Sequence, residues 1–251
     1  MSAKNESILM FAEKHGIAEY AAQKLLILSL NATTENPAFV ALSGGSTPKA
    51  LFRLLAETPY RNSVLWENII LFWGDERCVP PDSVQSNFGT ARELLFDRLD
   101  NAPIFHRVRG EADPLEANKA YADLLCKTLP LNDSELPVFD WIMLGMGEDG
   151  HTASIFPQQP LQHVCRAACG IATHPDSGQK RVSFTMDVLN AAKEVSFLVA
   201  GAGKANVVEA IFTQDETPFP ADQVHPSNGK LEWCLDRAAG DVLLKLSNRT
   251  D

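Results

Sequence analysis

One stretch of the chain concentrates groups able to move protons: Leu144-Gly-Met-Gly-Glu-Asp-Gly-His151-Thr-Ala-Ser-Ile-Phe-Pro157 holds one histidine, two carboxylates and three glycines. An imidazole with an unperturbed pKa of about 6.5 exchanges a proton at neutral pH, which makes His151 a candidate general base. Glu148 and Asp149 are both candidates to orient that imidazole or to hold substrate hydroxyls, and the sequence leaves the choice open. His15, His106, His163, His174 and His225 lack a comparable glycine-rich setting and read as surface or packing residues.

Three further segments offer anion-binding chemistry. Ser43, Gly44, Gly45, Ser46 and Thr47 bring backbone N–H groups and three hydroxyls to an expected helix start, where peptide dipoles favour a phosphate. This is neither a Walker loop nor the three-glycine dinucleotide fingerprint. In Gly74-Asp75-Glu76-Arg77, the guanidinium supplies a planar donor fork for phosphate or carboxylate, and Asp75 can accept from sugar hydroxyls. Lys204 closes the run Gly201-Ala-Gly-Lys at another expected helix start, and Arg181 precedes residues 182–185, which alternate as a half-exposed strand.

The elements that must position these groups read as strands alternating with helices. Apolar positions recur at helical spacing over residues 8–30, with a turn at 31–37. Residues 39–42 read as a buried strand followed by a glycine loop and a helix with Pro48 at its first position. A second unit has a strand at 69–73, a long polar loop at 74–87 and a helix at 88–99. A helix at 112–129, strands at 139–144 and 195–200, and a helix at 204–212 complete the pattern. The proline-rich stretch 217–226 is linker-like, and the tail from 233 to 246 is expected to pack back. The expected fold is α/β, a mostly parallel sheet with helices on both faces, in a single domain spanning 1–251. In such sheets ligands bind beyond the carboxyl ends of the strands, where all of these loops lie.

Composition narrows the partners. A chain of 251 residues with 45% hydrophobic and 22% charged residues can bury a substantial core. Its net charge of −10 argues against general binding to nucleic acid or an anionic membrane, while leaving room for a local basic pocket that takes a small anionic metabolite. No run approaches the ~18 apolar residues of a membrane span. The N-terminus also lacks the basic-then-apolar order of a secretion signal, so a cytoplasmic location is expected. Cys78, Cys126, Cys165, Cys169 and Cys234 are odd in number and scattered, as reduced thiols are. Cys165 and Cys169 with His163 or His174 match no zinc-site spacing, so neither metal nor cofactor is expected. The expected state is a monomer or weak homodimer.

Taken together, the motifs resemble the 6-phosphogluconolactonase family. The resemblance rests on LSGGSTP at 42–48, GDERCVPPDSVQSN at 74–87, LGMGEDGHTASIFP at 144–157 and GAGK at 201–204, in that order over nearly the whole chain. It implies a Rossmann-like fold shared with glucosamine-6-phosphate deaminases, ribose-5-phosphate isomerases and some sugar-sensing regulator domains. It also implies metal-free hydrolysis of 6-phosphoglucono-δ-lactone to 6-phosphogluconate in the oxidative pentose phosphate pathway. The sibling deaminases carry a glutamate just before the proline of the histidine loop, used in ring opening and isomerisation, where this chain has Phe156. They typically have an aromatic residue in place of Arg77. A non-catalytic sugar-phosphate binding module is the other alternative; such modules normally follow a helix-turn-helix, for which the roughly forty residues before the expected first strand leave little room.

Overall fold

The computed structural model describes residues 5–163 and 168–247, so Cys165 lies outside the described residues. The chain begins with strand β1 (Glu6–Phe11), helix α1 (Lys14–Asn31), β2 (Ala38–Leu42), α2 (Ser46–Leu55) and α3 (Tyr60–Ser63). Next come β3 (Ile69–Trp73), β4 (Asp75–Arg77), α4 (Asn87–Leu94), β5 (Ile104–Phe105), α5 (Pro114–Thr128) and β6 (Trp141–Leu144). Three strands follow, β7 (Gln162–His163), β8 (Cys169–Thr173) and β9 (Lys180–Phe184). The chain then runs through α6 (Met186–Ala191), β10 (Glu194–Val199), α7 (Ala205–Thr213), β11 (Lys230–Asp236) and α8 (Arg237–Ser247).

Seven strands form a sheet in the order β1-β11-β10-β6-β2-β3-β5, with parallel pairing throughout. Because successive side chains point to opposite faces, a strand covered on both sides must be apolar at every position. In β3, Ile69, Leu71 and Trp73 pack against α1, α2 and α4, while Phe72 joins α5, α6, α7 and α8 on the other face. β6 divides in the same way, Trp141 and Met143 to one side and Ile142 and Leu144 to the other. From β2 the chain moves outward to β3 and β5, and from β6 it moves the opposite way to β10 and β11. The neighbouring pair β2 and β6 is therefore the topological switch point, which opens a crevice at the carboxyl ends of those strands.

A second, antiparallel sheet has the order β4-β9-β8-β7. Gly74 joins the two sheets: its N–H donates to Leu42 O at 2.9 Å and its carbonyl accepts from Phe184 N at 2.8 Å. Tyr121 of α5 fixes the same corner, its hydroxyl donating to Trp73 O and accepting from Trp73 N, both at 2.9 Å.

Several sequence expectations are corrected here. The helix expected over 8–30 is a strand followed by a helix, and β1 pairs in register with Leu231–Asp236; a short apolar run fits either period, and pairing with β11 decides it. The loop at 74–87 contains β4. Residues 182–184 are buried because β9 lies between β4 and β8, with Phe184 against Tyr121 and Phe139. The tail does more than pack back, since β11 sits inside the large sheet between β1 and β10. The stretch at 217–226 is no linker: Ala221 and Val224 are fully buried. Pro48 is the third residue of α2, still within the first turn, where its missing N–H costs no helical bond.

Candidate active site

The loop after β6 folds around His151. Asp149 accepts from His151 at two points, the ring Nδ1 at 2.6 Å and the backbone N at 3.2 Å. Gly147 N donates to His151 O at 2.8 Å and closes the loop. A Cβ on Gly147 would fall on the His151 ring and the Asp149 carboxylate, so only glycine lets the backbone pass beneath this pair. Burial pushes the Asp149 carboxyl up, but the charge and hydrogen bonds of His151 outweigh it and hold the group below its ordinary value. With Nδ1 engaged, Nε2 is left as the proton-accepting nitrogen of the neutral ring. Phe156 packs against the imidazole at 4.8 Å between ring centroids, and His174 meets the same phenyl edge-on at 5.2 Å. From the 217–226 stretch, Phe219 packs against Gly150 and Ala221 N donates to Gly150 O at 3.0 Å, bracing the loop from outside.

The small sheet brings two arginines to the same place. Arg77 and Arg181 are partners in the β4–β9 ladder, and among the described residues the Nε of each is buried without a hydrogen-bond partner. Arg77 Nη1 donates to Gln85 O, and Arg181 lies over Phe156 with Cζ at 5.6 Å from the ring centre. Burial and the neighbouring Arg77 lower the pKa of Arg181, with Asp75 opposing. One position before Arg77, Glu76 faces away and accepts from the backbone N of Arg77, Asn87 and Phe88, each at 2.8 Å, and from Ser86 Oγ at 3.0 Å. It thereby anchors the start of α4. Burial pushes its carboxyl above the ordinary value, against the pull of those three amides.

The loop after β2 and the loop after β10 form the remaining walls. Gly45 caps α2 at φ 106°, in the left-handed region, and the first helical turn, whose N–H groups have no partner within the helix, borders the crevice. Gly201 N is held by both oxygens of Asp236, at 3.0 and 3.1 Å, which places Lys204 beside that opening. The resulting cleft has a volume of about 250 Å³. Ser43, Gly44, Gly45, Ser46, Thr47, Asp75, Arg77, His151, Arg181 and Lys204, all singled out from sequence, line it together.

Two candidates stand apart from that lining. Asp149 lies behind the imidazole, and Glu148 reaches away so that its carboxylate rests against Gly203. Sequence reasoning passed over three neighbours. Asn87 donates to the backbone oxygen of Asp75 at 2.9 Å, Ser154 donates to Asp75 Oδ2 at 2.6 Å, and His174 backs Phe156. Only Asn87 carried a usable signal, at the boundary between a polar loop and an expected helix.

A family model described as glucosamine-6-phosphate isomerases/6-phosphogluconolactonase matches residues 12–233. The chain belongs to this family. Within the glucosamine-6-phosphate isomerase/6-phosphogluconolactonase family, it is 41% identical over 233 residues to the 6-phosphogluconolactonase of Haemophilus influenzae, covering 92% of this chain and 96% of that one. The crystal structure of the devB protein is similar at a TM-score of 0.89 and 42% identity, over 95% of this chain and 99% of that one. The 6-phosphogluconolactonase from Trypanosoma brucei is similar at a TM-score of 0.84 and 26% identity, over 96% and 100% of the two chains. The matched region of the family model thus contains the four loops that build the cleft.

Proposed function

We propose that this protein hydrolyses 6-phospho-D-glucono-1,5-lactone to 6-phospho-D-gluconate, using a water molecule activated by His151 and no metal. The observation that carries the reading is the Asp149–His151 pair at the cleft, with Nδ1 engaged at 2.6 Å. The identity to curated 6-phosphogluconolactonases over most of the chain supports the same substrate.

In this reading the phosphate rests on the first turn of α2 and the hydroxyls of the 43–47 loop, with Arg77, Arg181 and Lys204 supplying charge. Binding the remote phosphate places the lactone carbonyl over His151. His151 Nε2 takes a proton from water, and the oxygen attacks C1. The tetrahedral oxyanion is stabilised by Arg77 or by backbone N–H groups of the glycine loops. Collapse breaks the bond to the ring oxygen, which leaves with the proton returned by the imidazolium, so no covalent intermediate is required. A lactone already contains an activated ester carbonyl, and one general base suffices. The deaminase reaction demands a further acid, and Phe156 fills the position before the proline with a ring that cannot exchange a proton.

The test generates the lactone enzymatically from glucose 6-phosphate and follows its loss at constant pH with and without this protein. Acceleration over the buffer blank is expected. A rate equal to the blank would reject the lactonase reading, and ammonia release from glucosamine 6-phosphate would move the chain to the deaminase branch.

A further inference from the structure

The geometry points to Ser154 as a positioning residue that keeps the Asp75 carboxylate from neutralising Arg181, leaving the guanidinium available to an anion in the cleft. This rests on the phosphosugar reading above. Ser154 is fully buried on the loop that carries His151, and its hydroxyl lies between side chains of opposite charge. Its Oγ donates to Asp75 Oδ2 at 2.6 Å and accepts from Arg181 Nη1 at 3.4 Å. Its own N–H donates to Ser183 Oγ at 3.1 Å, which ties the residue to β9 and holds the hydroxyl in place.

Neutral donors occupy both oxygens of Asp75, since Asn87 Nδ2 donates to Oδ1 at 3.4 Å. Among the described residues, Asp75 and Arg181 form no ion pair. Glu76, the other carboxylate of β4, is committed to the amides at the start of α4. Among the described residues, Arg181 is consequently a mostly buried cation whose one side-chain hydrogen bond is long, whose Nε has no partner, and whose ladder partner is another arginine. Like charges opposite each other across a ladder are unfavourable, and an anion shared between them removes the conflict. Without the Ser154 hydroxyl, Asp75 Oδ2 becomes a buried acceptor lacking a donor. The guanidinium beside it is the strongest replacement, and a charge-assisted pair between them would consume the cation.

Calorimetric titration with inorganic phosphate as the probe tests this on the full chain, in wild type, Ser154→Ala, Asp75→Asn and the double variant. Ser154→Ala is expected to weaken phosphate about tenfold, the size of one hydrogen bond to a charged group. Adding Asp75→Asn in that background is expected to restore the affinity, because no carboxylate then competes for Arg181. Asp75→Asn alone is expected to bind phosphate more tightly than wild type. A merely structural defect at Ser154 would not be repaired by removing a charge at Asp75.

Wild-type affinity in Ser154→Ala, a double variant as weak as Ser154→Ala, or weakened binding in Asp75→Asn alone would each overturn the proposal. The last of these stands even if Ser154→Ala fails to fold. Phosphate binding without lactone hydrolysis would reject only the lactonase reading. A wild-type protein that takes up no phosphate would overturn the proposal, while the lactonase reading stands or falls with the hydrolysis assay.

Discussion

Lys24 and Arg181 are both cations taken largely out of water, and the chain surrounds them differently. Lys24, on α1, donates to Glu232 Oε2 at 2.6 Å and Ser196 Oγ at 3.1 Å, pairs with Glu194 at 2.8 Å, and lies 5.1 Å from the centre of the Trp141 ring. Tyr20 and Trp141 complete that network by donating to Glu232 Oε1 and to Ser196 Oγ, each at 2.9 Å. Arg181 has one long contact to a serine hydroxyl and an arginine as ladder partner. A satisfied cluster fastens a helix to the middle of the sheet, and an unsatisfied one waits at the carboxyl edge of the strands. Buried charge is costly without partners, so charge left unpaired at a cleft points to a ligand that supplies the partner.

The comparison can be broken by variants whose effects differ in kind. His151→Ala is expected to have the largest effect, a fall in kcat of roughly 10²- to 10⁴-fold for lost general-base assistance, with little change in the urea midpoint. Near-normal turnover would remove His151 from the base role. Arg181→Met is expected to raise KM for the lactone by about 10- to 100-fold through one lost charge-assisted contact. Its unfolding free energy should equal or exceed that of wild type, because a cation lacking a carboxylate partner has been replaced by an apolar side chain. Lys24→Met should do the reverse, losing about 3 kcal/mol in urea denaturation while the folded fraction keeps its kcat and KM. If Arg181→Met destabilised as much as Lys24→Met, the contrast between the two clusters would fail.

The large sheet was more legible in sequence than the small one, for physical reasons. Strands β2, β3 and β6 are covered on both faces and read as uninterrupted apolar runs, β10 after its first residue is broken only by Ser196, and the glycine loops mark their ends. The small sheet left no such trace. β4 is Asp75-Glu76-Arg77, three charged residues whose strand character comes from pairing with Arg181–Ser183, more than a hundred positions later. Burial of Arg181 and Ser154 follows from that pairing and could not be read locally. The choice between Glu148 and Asp149 was also unreadable: both adjoin the histidine, and only the folded loop turns Asp149 to Nδ1 and Glu148 towards Gly203. β1 failed for the opposite reason, because its six apolar-rich residues blend into the periodicity of α1.

The smallest expected effect concerns pH and separates carboxylate pairing at Lys24 from its contact with Trp141. Burial raises the Glu232 carboxyl, but hydrogen bonding and charge from Lys24, with Ser196 and Tyr20, bring it below its ordinary value. A carboxyl depressed in the folded state contributes stability that is present above its unfolded pKa and lost as pH falls through its folded value. Lys24→Met removes the cation responsible for the depression and leaves Glu194 as a neighbouring like charge. Burial and repulsion then favour the protonated acid, so acidification relieves the variant while it weakens wild type. The deficit of Lys24→Met should therefore be widest near neutrality and narrow as urea unfolding is repeated from about pH 7 down to about pH 4, around the ordinary carboxylate range. A deficit that stayed constant over that interval would assign the loss to the Lys24 ammonium over the Trp141 ring and not to its carboxylate partners, and the contrast in carboxylate pairing between the two clusters would then fail.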